Sequence, residues 1–172
     1  MNKTARSLIG VIGFAALLRI LPHPWNFTPI AAMALFSGAH FRTRVGAFAV
    51  PLAALFISDL FIGLYSSMFV TYLAFSLIVV IGMSLNENRT VPKILAASVV
   101  SSVLFFLISN FGVWMFDHMY SRSGPGLLAC YTAALPFFQG TLFGDAAYTA
   151  VLFGAFHLAE TRFPTLQHAS SI

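Results

Sequence analysis

Two aspartates lie where carboxylates are seldom found. Asp59 falls within VGAFAVPLAALFISDLFIGL (Val45 to Leu64) and Asp145 within GTLFGDAAYTAVLFGAFH (Gly140 to His157), in a chain whose residues are 59% hydrophobic. A carboxylate in hydrocarbon costs about 2.5 to 3.5 kcal/mol on insertion scales, so such groups pair with a cation, meet a ligand or line an ion path. Arg19 can balance one of them, and the asparagines can bridge helices, in which case the set merely holds a bundle together. One arginine against two acids leaves an excess acid, which must bind a cation, take up a proton or meet a polar ligand.

The residues around these acids fit a binding cavity. Asp59 and Asp145 are the candidate contacts for a polar or cationic ligand, with Asn26 and Asn110 as hydrogen-bond partners and Arg19 as the balancing charge. Trp114, four residues after Asn110, and Tyr148, three after Asp145, share a helix face with those polar groups and can stack on a planar ligand. Thr141, four residues before Asp145, lies on the same face as well. His23, in LPHPWNF, can line the mouth, where Trp25 can equally serve as an interface anchor. Tyr65, Tyr120 and Tyr131 extend the same belt.

Other chemistries find little support. Cys130 is the one cysteine, which excludes an internal disulfide; it is read as a small packing residue, although it or His23 could reach a metal-containing ligand. Asp117-His118 has no third ligand at a metal-like spacing, so neither a metal site nor a cofactor is expected. The chain has no GxSxG, no HExxH and no glycine-rich phosphate loop, and the flanks SDLF and GDAA lack the signatures associated with intramembrane aspartyl proteases. An enzyme is not expected.

Charge and hydropathy decide what must position these residues. With 172 residues, 8% of them charged, and a mean hydropathy of +0.87, too little polar surface exists to cover a water-soluble domain. The net charge of +4 is not a nucleic-acid signal, because the cations fall singly or in pairs at the ends of apolar runs. A single integral membrane domain over residues 1–172 is expected, in contact with the lipid bilayer and with no nucleic-acid partner.

Apolar runs broken by Pro, Gly, Asn and charge predict an all-α bundle of six transmembrane helices at about 7–21, 27–41, 44–64, 67–85, 92–116 and 140–157. A short segment, 127–138, ending at Pro136, is expected to be interfacial or re-entrant. The N-terminal stretch has no small-x-small cleavage pattern ahead of Arg19 and Pro22, and is read as the first helix. With the N- and C-termini cytoplasmic, Lys3, Arg6, Arg42, Arg44, Arg89, Lys93 and Arg162 fall inside, and Arg19 and Arg122 outside. That asymmetry obeys the positive-inside rule. It brings Arg19, Asn26, Asp59, Asn110 and Asp145 to one depth, the outer third of the membrane. Small residues four apart, Ala34/Gly38, Ala49/Ala53 and Ala146/Ala150/Gly154, are expected to let helices approach closely, within the bundle or against a separate subunit.

The strings RILPHPWNFTPIAAMALFSGAHF, PLAALFISDLFIGL, ISNFGVW and LLACYTAALPFFQGTLFGDAAYT resemble a family of small bacterial membrane proteins known only as transport proteins of unknown function. More distantly, the chain is similar to the substrate-binding S components of energy-coupling-factor vitamin transporters, the solitary cobalamin type among them. That resemblance implies an S-component-like fold in a bacterial inner membrane. It implies uptake of a small polar or planar, vitamin-like nutrient through an outward-facing cavity, with a separate transmembrane coupling subunit and two ATPases as partners. A stand-alone proton- or sodium-coupled carrier or small channel is the alternative. It would need polar groups reaching the inner face, where Ser76, Ser98, Ser101 and Ser102 are the main ones on offer.

Overall fold

The computed structural model describes residues 17–20, 26–41, 43–86 and 88–162. Those residues are predominantly helical and contain no strand. After a helical turn at 17–20 come α1 (Ile30–His40), α2 (Arg44–Ile62), α3 (Met68–Met83), α4 (Val91–Phe116) and α5 (Gly124–Arg162). Short links join successive helices end to end, so the chain runs alternately up and down. His40, Arg44, Arg89 and Lys93 collect at one end, called the basic end below. α2, α4 and α5 are each long and apolar enough to cross a membrane; α1 and α3 are shorter apolar helices.

α1 is the hub. It touches all four other helices, and Ile30 through Leu35, Ser37, Gly38 and Ala39 are buried. A helix apolar on every face is one that other protein surrounds. Its crossing with α3 rests on two glycines: a β-carbon on Gly38 would collide with the Val79 carbonyl oxygen, and one on Gly82 with that of Leu35. Of the small-residue pairs seen in the sequence, Ala34/Gly38 is therefore used inside the bundle. Around Gly154 the space is open among the described residues, with no atom within 4 Å of where a β-carbon would stand.

α2 contains Pro51, which has no N–H to offer the carbonyl four residues earlier. The structure supplies a substitute: the Ser37 hydroxyl of α1 donates to the Ala47 carbonyl at 2.8 Å. At its start the Thr43 hydroxyl accepts from the Gly46 amide at 3.2 Å, and it stops at Gly63, whose φ of 114° suits glycine.

The largest departure from expectation concerns α5. The segments 127–138 and 140–157 are not a re-entrant piece and a last span but one helix of 39 residues with Pro136 inside it. Proline does not end a helix where packed neighbours accommodate the lost bond. It does bend this one. Tyr131 donates to the Leu107 carbonyl and Ser102 to Asp145, so fourteen residues of α5 face five of α4, about 21 Å against about 7.5 Å. α5 therefore bows off α4 around Pro136, and Leu135 and Phe137 are exposed there. The other helices begin and end within three residues of the expected limits. Of the first expected helix, 7–21, only residues 17–20 are described.

Ser37→Ala should destabilise the protein by about 1–3 kcal/mol, the cost of a buried carbonyl left unpartnered. Adding Pro51→Ala restores a donor to Ala47, so the double variant should unfold in detergent at a higher temperature than Ser37→Ala alone. A double variant no more stable than that single one would refute the compensation.

Candidate functional site

Asp59, on the last turn of α2, is completely buried. It forms an ion pair with Arg19 of the preceding helical turn, and the Tyr72 hydroxyl of α3 donates to its other oxygen at 3.0 Å. The same Arg19 nitrogen reaches Ser58 Oγ at 2.7 Å. The ion pair anticipated for one aspartate thus falls on Asp59, and it ties the chain ahead of α1 to α2 and α3.

Asp145, on α5, is also buried, but in different company. Ser102 of α4 donates to its Oδ2 at 2.6 Å, and no Lys, Arg or His lies within ion-pair distance among the described residues. Asp145 lines a cavity of about 140 Å³ together with Arg19, Asn26, Thr28, Tyr65, Thr71 and Thr141, closed on its apolar side by Ala31, Phe75 and Phe105. Asn26 reaches it from a left-handed turn, φ 58°, a conformation asparagine tolerates. Burial pushes the Tyr65 phenol above its ordinary range, so it stays a neutral hydroxyl at physiological pH.

Of the residues singled out in the sequence, Arg19, Asn26, Tyr65, Thr141 and Asp145 therefore share one cavity. Asp59 stands one layer behind, both oxygens engaged, and the two carboxylates do not bond to each other. Asn110 and Trp114 lie elsewhere: the Asn110 amide donates to Phe106 of its own helix at 2.7 Å, and the Trp114 indole donates to the Ser121 carbonyl at 2.9 Å, fastening the α4–α5 link. Tyr148 packs on Phe27, ring centroids 5.5 Å apart. His23 lies outside the described residues. The Cys130 thiol donates to the Asn110 carbonyl at 3.4 Å, and no group of three potential metal ligands occurs among the described residues.

Sequence reasoning missed Thr28 and Thr71, and it assigned Ser102 to the inner face, whereas Ser102 bonds Asp145. The i, i+4 spacing of Ser98 and Ser102 puts both on one face of α4, the face that meets Asp145 and Thr149. A second cavity, about 600 Å³, opens at the basic end between α4 and α5, with His40, Arg89, His157 and Thr149 among apolar walls that include Phe153 and Phe156.

A protein-family profile matches residues 1–166, and its description is a family of unknown function. No curated protein matches the chain, and no solved structure does.

The two acids should respond differently to amidation. Asp59→Asn breaks a buried ion pair, a loss worth about 3–5 kcal/mol, whereas Asp145→Asn keeps an acceptor for Ser102 and removes a buried charge. Thermal unfolding in detergent should show a marked drop for the first and little change for the second. Equal drops would contradict this division of roles.

Proposed function

The chain belongs to the DUF6580 family, and since that family's function is unknown we propose, from its own residues, that it captures a compact cationic or hydrogen-bonding solute at Asp145 for uptake across a membrane. Asp145 carries the reading. It is buried, its donor among the described residues is one hydroxyl, and it faces a cavity whose other ionic group, Arg19, pairs with Asp59. The negative charge is thus left for a ligand to balance.

Cavity size narrows the ligand. At about 30 Å³ per water in the liquid, 140 Å³ holds roughly five water-sized groups. Sites for drug-sized ligands run to about 300–1,000 Å³. A small amine or guanidine fits; a cobalamin-sized molecule would not.

The chain on this reading is a six-span bundle in a bacterial cytoplasmic membrane, with both termini cytoplasmic and the Asp145 cavity facing out. The collection of His40, Arg44, Arg89 and Lys93 at the opposite end agrees with the positive-inside rule. An S-component-like role, with a coupling subunit and two ATPases, shares this capture step. One observation favours the stand-alone, proton-coupled carrier: buried hydroxyls continue from Asp145 toward the basic end.

Mass spectrometry of small molecules retained by the purified protein tests the capture step. A cationic or hydrogen-bonding solute of no more than about ten non-hydrogen atoms should accompany the wild type and be lost, by at least tenfold, from Asp145→Asn. Equal retention in both, or a far larger ligand, would defeat the proposal.

A further inference from the structure

The contact between α4 and α5 below Asp145 is lined by hydroxyls where alanines would pack as well. Ser98, Ser101 and Ser102 of α4 and Thr149 of α5 are all buried. They form two rungs one turn apart. Ser102 Oγ lies 2.6 Å from Asp145 Oδ2, and Ser98 Oγ lies 3.4 Å from Thr149 Oγ1. Ser102 also approaches the Ser98 carbonyl at 3.1 Å.

Each rung opens on a different cavity. Asp145 lines the small one and Thr149 lines the large one at the basic end, so along α5 the two come within about 6 Å, one helical turn. A purely structural clamp has no need to open at both ends.

From this geometry we infer that the two rungs form a proton path joining the cavities, with Asp145 as its entry and the imidazoles of His40 and His157 as acceptors at its exit. Carboxylates and histidines are the groups that proton relays in membranes use, and a hydroxyl can donate on one side while accepting on the other. The Ser102 and Ser98 side chains, four residues apart, have β-carbons about 5–6 Å apart, a gap that one water spans. A proton enters on the Asp145 carboxylate, each hydroxyl passes its own proton forward as it receives one from behind, and water filling the large cavity carries it from Thr149 to an imidazole nitrogen. One proton moves and no other bond changes.

The tautomer of His40 leaves a nitrogen for that step: its Nδ1 faces the Phe36 carbonyl at 3.0 Å, which makes Nδ1 the donor and leaves Nε2 to accept. Arg89 and the packed rings of Phe36, Phe153 and Phe156 oppose a lasting positive charge there, so the proton is passed on. The ionisable and charged neighbours are Arg19 and Tyr65 at the entry cavity and Arg89 at the exit. The path rests on the proposed role of Asp145 and deepens it, because a proton and a cationic solute then compete for one carboxylate, which couples their movements.

The test uses the full chain in liposomes loaded with the pH dye pyranine, with a potassium diffusion potential set by valinomycin to draw protons inward. Wild type should acidify the lumen well above protein-free liposomes. Asp145→Asn should lose at least tenfold of that rate. Ser98→Ala with Thr149→Val should lose at least fivefold, yet still retain the co-purifying solute, since Asp145 is intact. Thr149→Ser, which keeps the hydroxyl, should stay within twofold of wild type and controls for folding. A wild-type rate equal to protein-free liposomes overturns the path, as does undiminished flux in Ser98→Ala with Thr149→Val. Undiminished flux with solute loss in Asp145→Asn overturns the path alone and leaves capture standing.

Discussion

The end of the bundle remote from the basic cluster depends on Arg19 reaching Asp59. A wholly buried carboxylate is tolerable only if its charge is met at close range and its remaining lone pairs are satisfied. Arg19 and Tyr72 do this together, from the chain ahead of α1 and from α3. The pair thereby ties three parts of the chain around α1 and makes one wall of the small cavity. Because it is internally neutral, it also decides the electrostatics next door. Asp145 is not competing with Asp59 for the arginine and stands as the cavity's uncompensated acid.

The rest of the architecture follows from the rule that backbone polar groups need partners where water is scarce. Pro51 would orphan the Ala47 carbonyl, and Ser37 removes that cost. Ser37 can reach because α1 packs tightly in the centre, which in turn needs Gly38 and Gly82 at the α1–α3 crossing. At Pro136 the outcome is a bow, spanned by the rings of Phe106 and Phe138 with centroids 4.8 Å apart, and hydrogen bonding between α4 and α5 resumes below it at Ser102 and Asp145. Proline thus has two uses here: one is absorbed by a neighbouring helix, the other redirects its own.

Much of this was legible in the sequence. Apolar runs separated by charge and glycine located α1 to α4 closely, because the length of an apolar run and the residues at its ends are local properties. Of the residues that the sequence places at one level, Arg19, Asn26 and Asp145 line one cavity and Asp59 and Asn110 do not; position along an up-and-down bundle follows from residue number. Rotation about a helix axis does not. Asn110 and Trp114 lie eight and twelve residues beyond Ser102, about 12 and 18 Å along α4 from the level of Asp145, and they bond to partners in their own helix and link; no spacing within α4 says which of its residues face Asp145. The continuity of α5 through Pro136 was illegible for a related reason: whether proline ends or bends a helix depends on what packs beside it, which the local sequence does not state.

The two cavities differ in a way that bears on direction. The small one presents an unpaired acid beside a neutralised arginine; the large one presents Arg89 and two histidines. A cation is therefore drawn to the first and repelled by the second, at a separation where a barrier one helical turn thick stands between them. A bulky cation has no route through hydroxyls bonded at 2.6 to 3.4 Å, while a proton needs only those bonds and room for one water between Ser102 and Ser98. On the proposed reading, selectivity would come from the contrast of charge across a narrow seam, and solute movement would require α4 and α5 to part where Ser102 meets Asp145 and Ser98 meets Thr149, below the bow at Pro136.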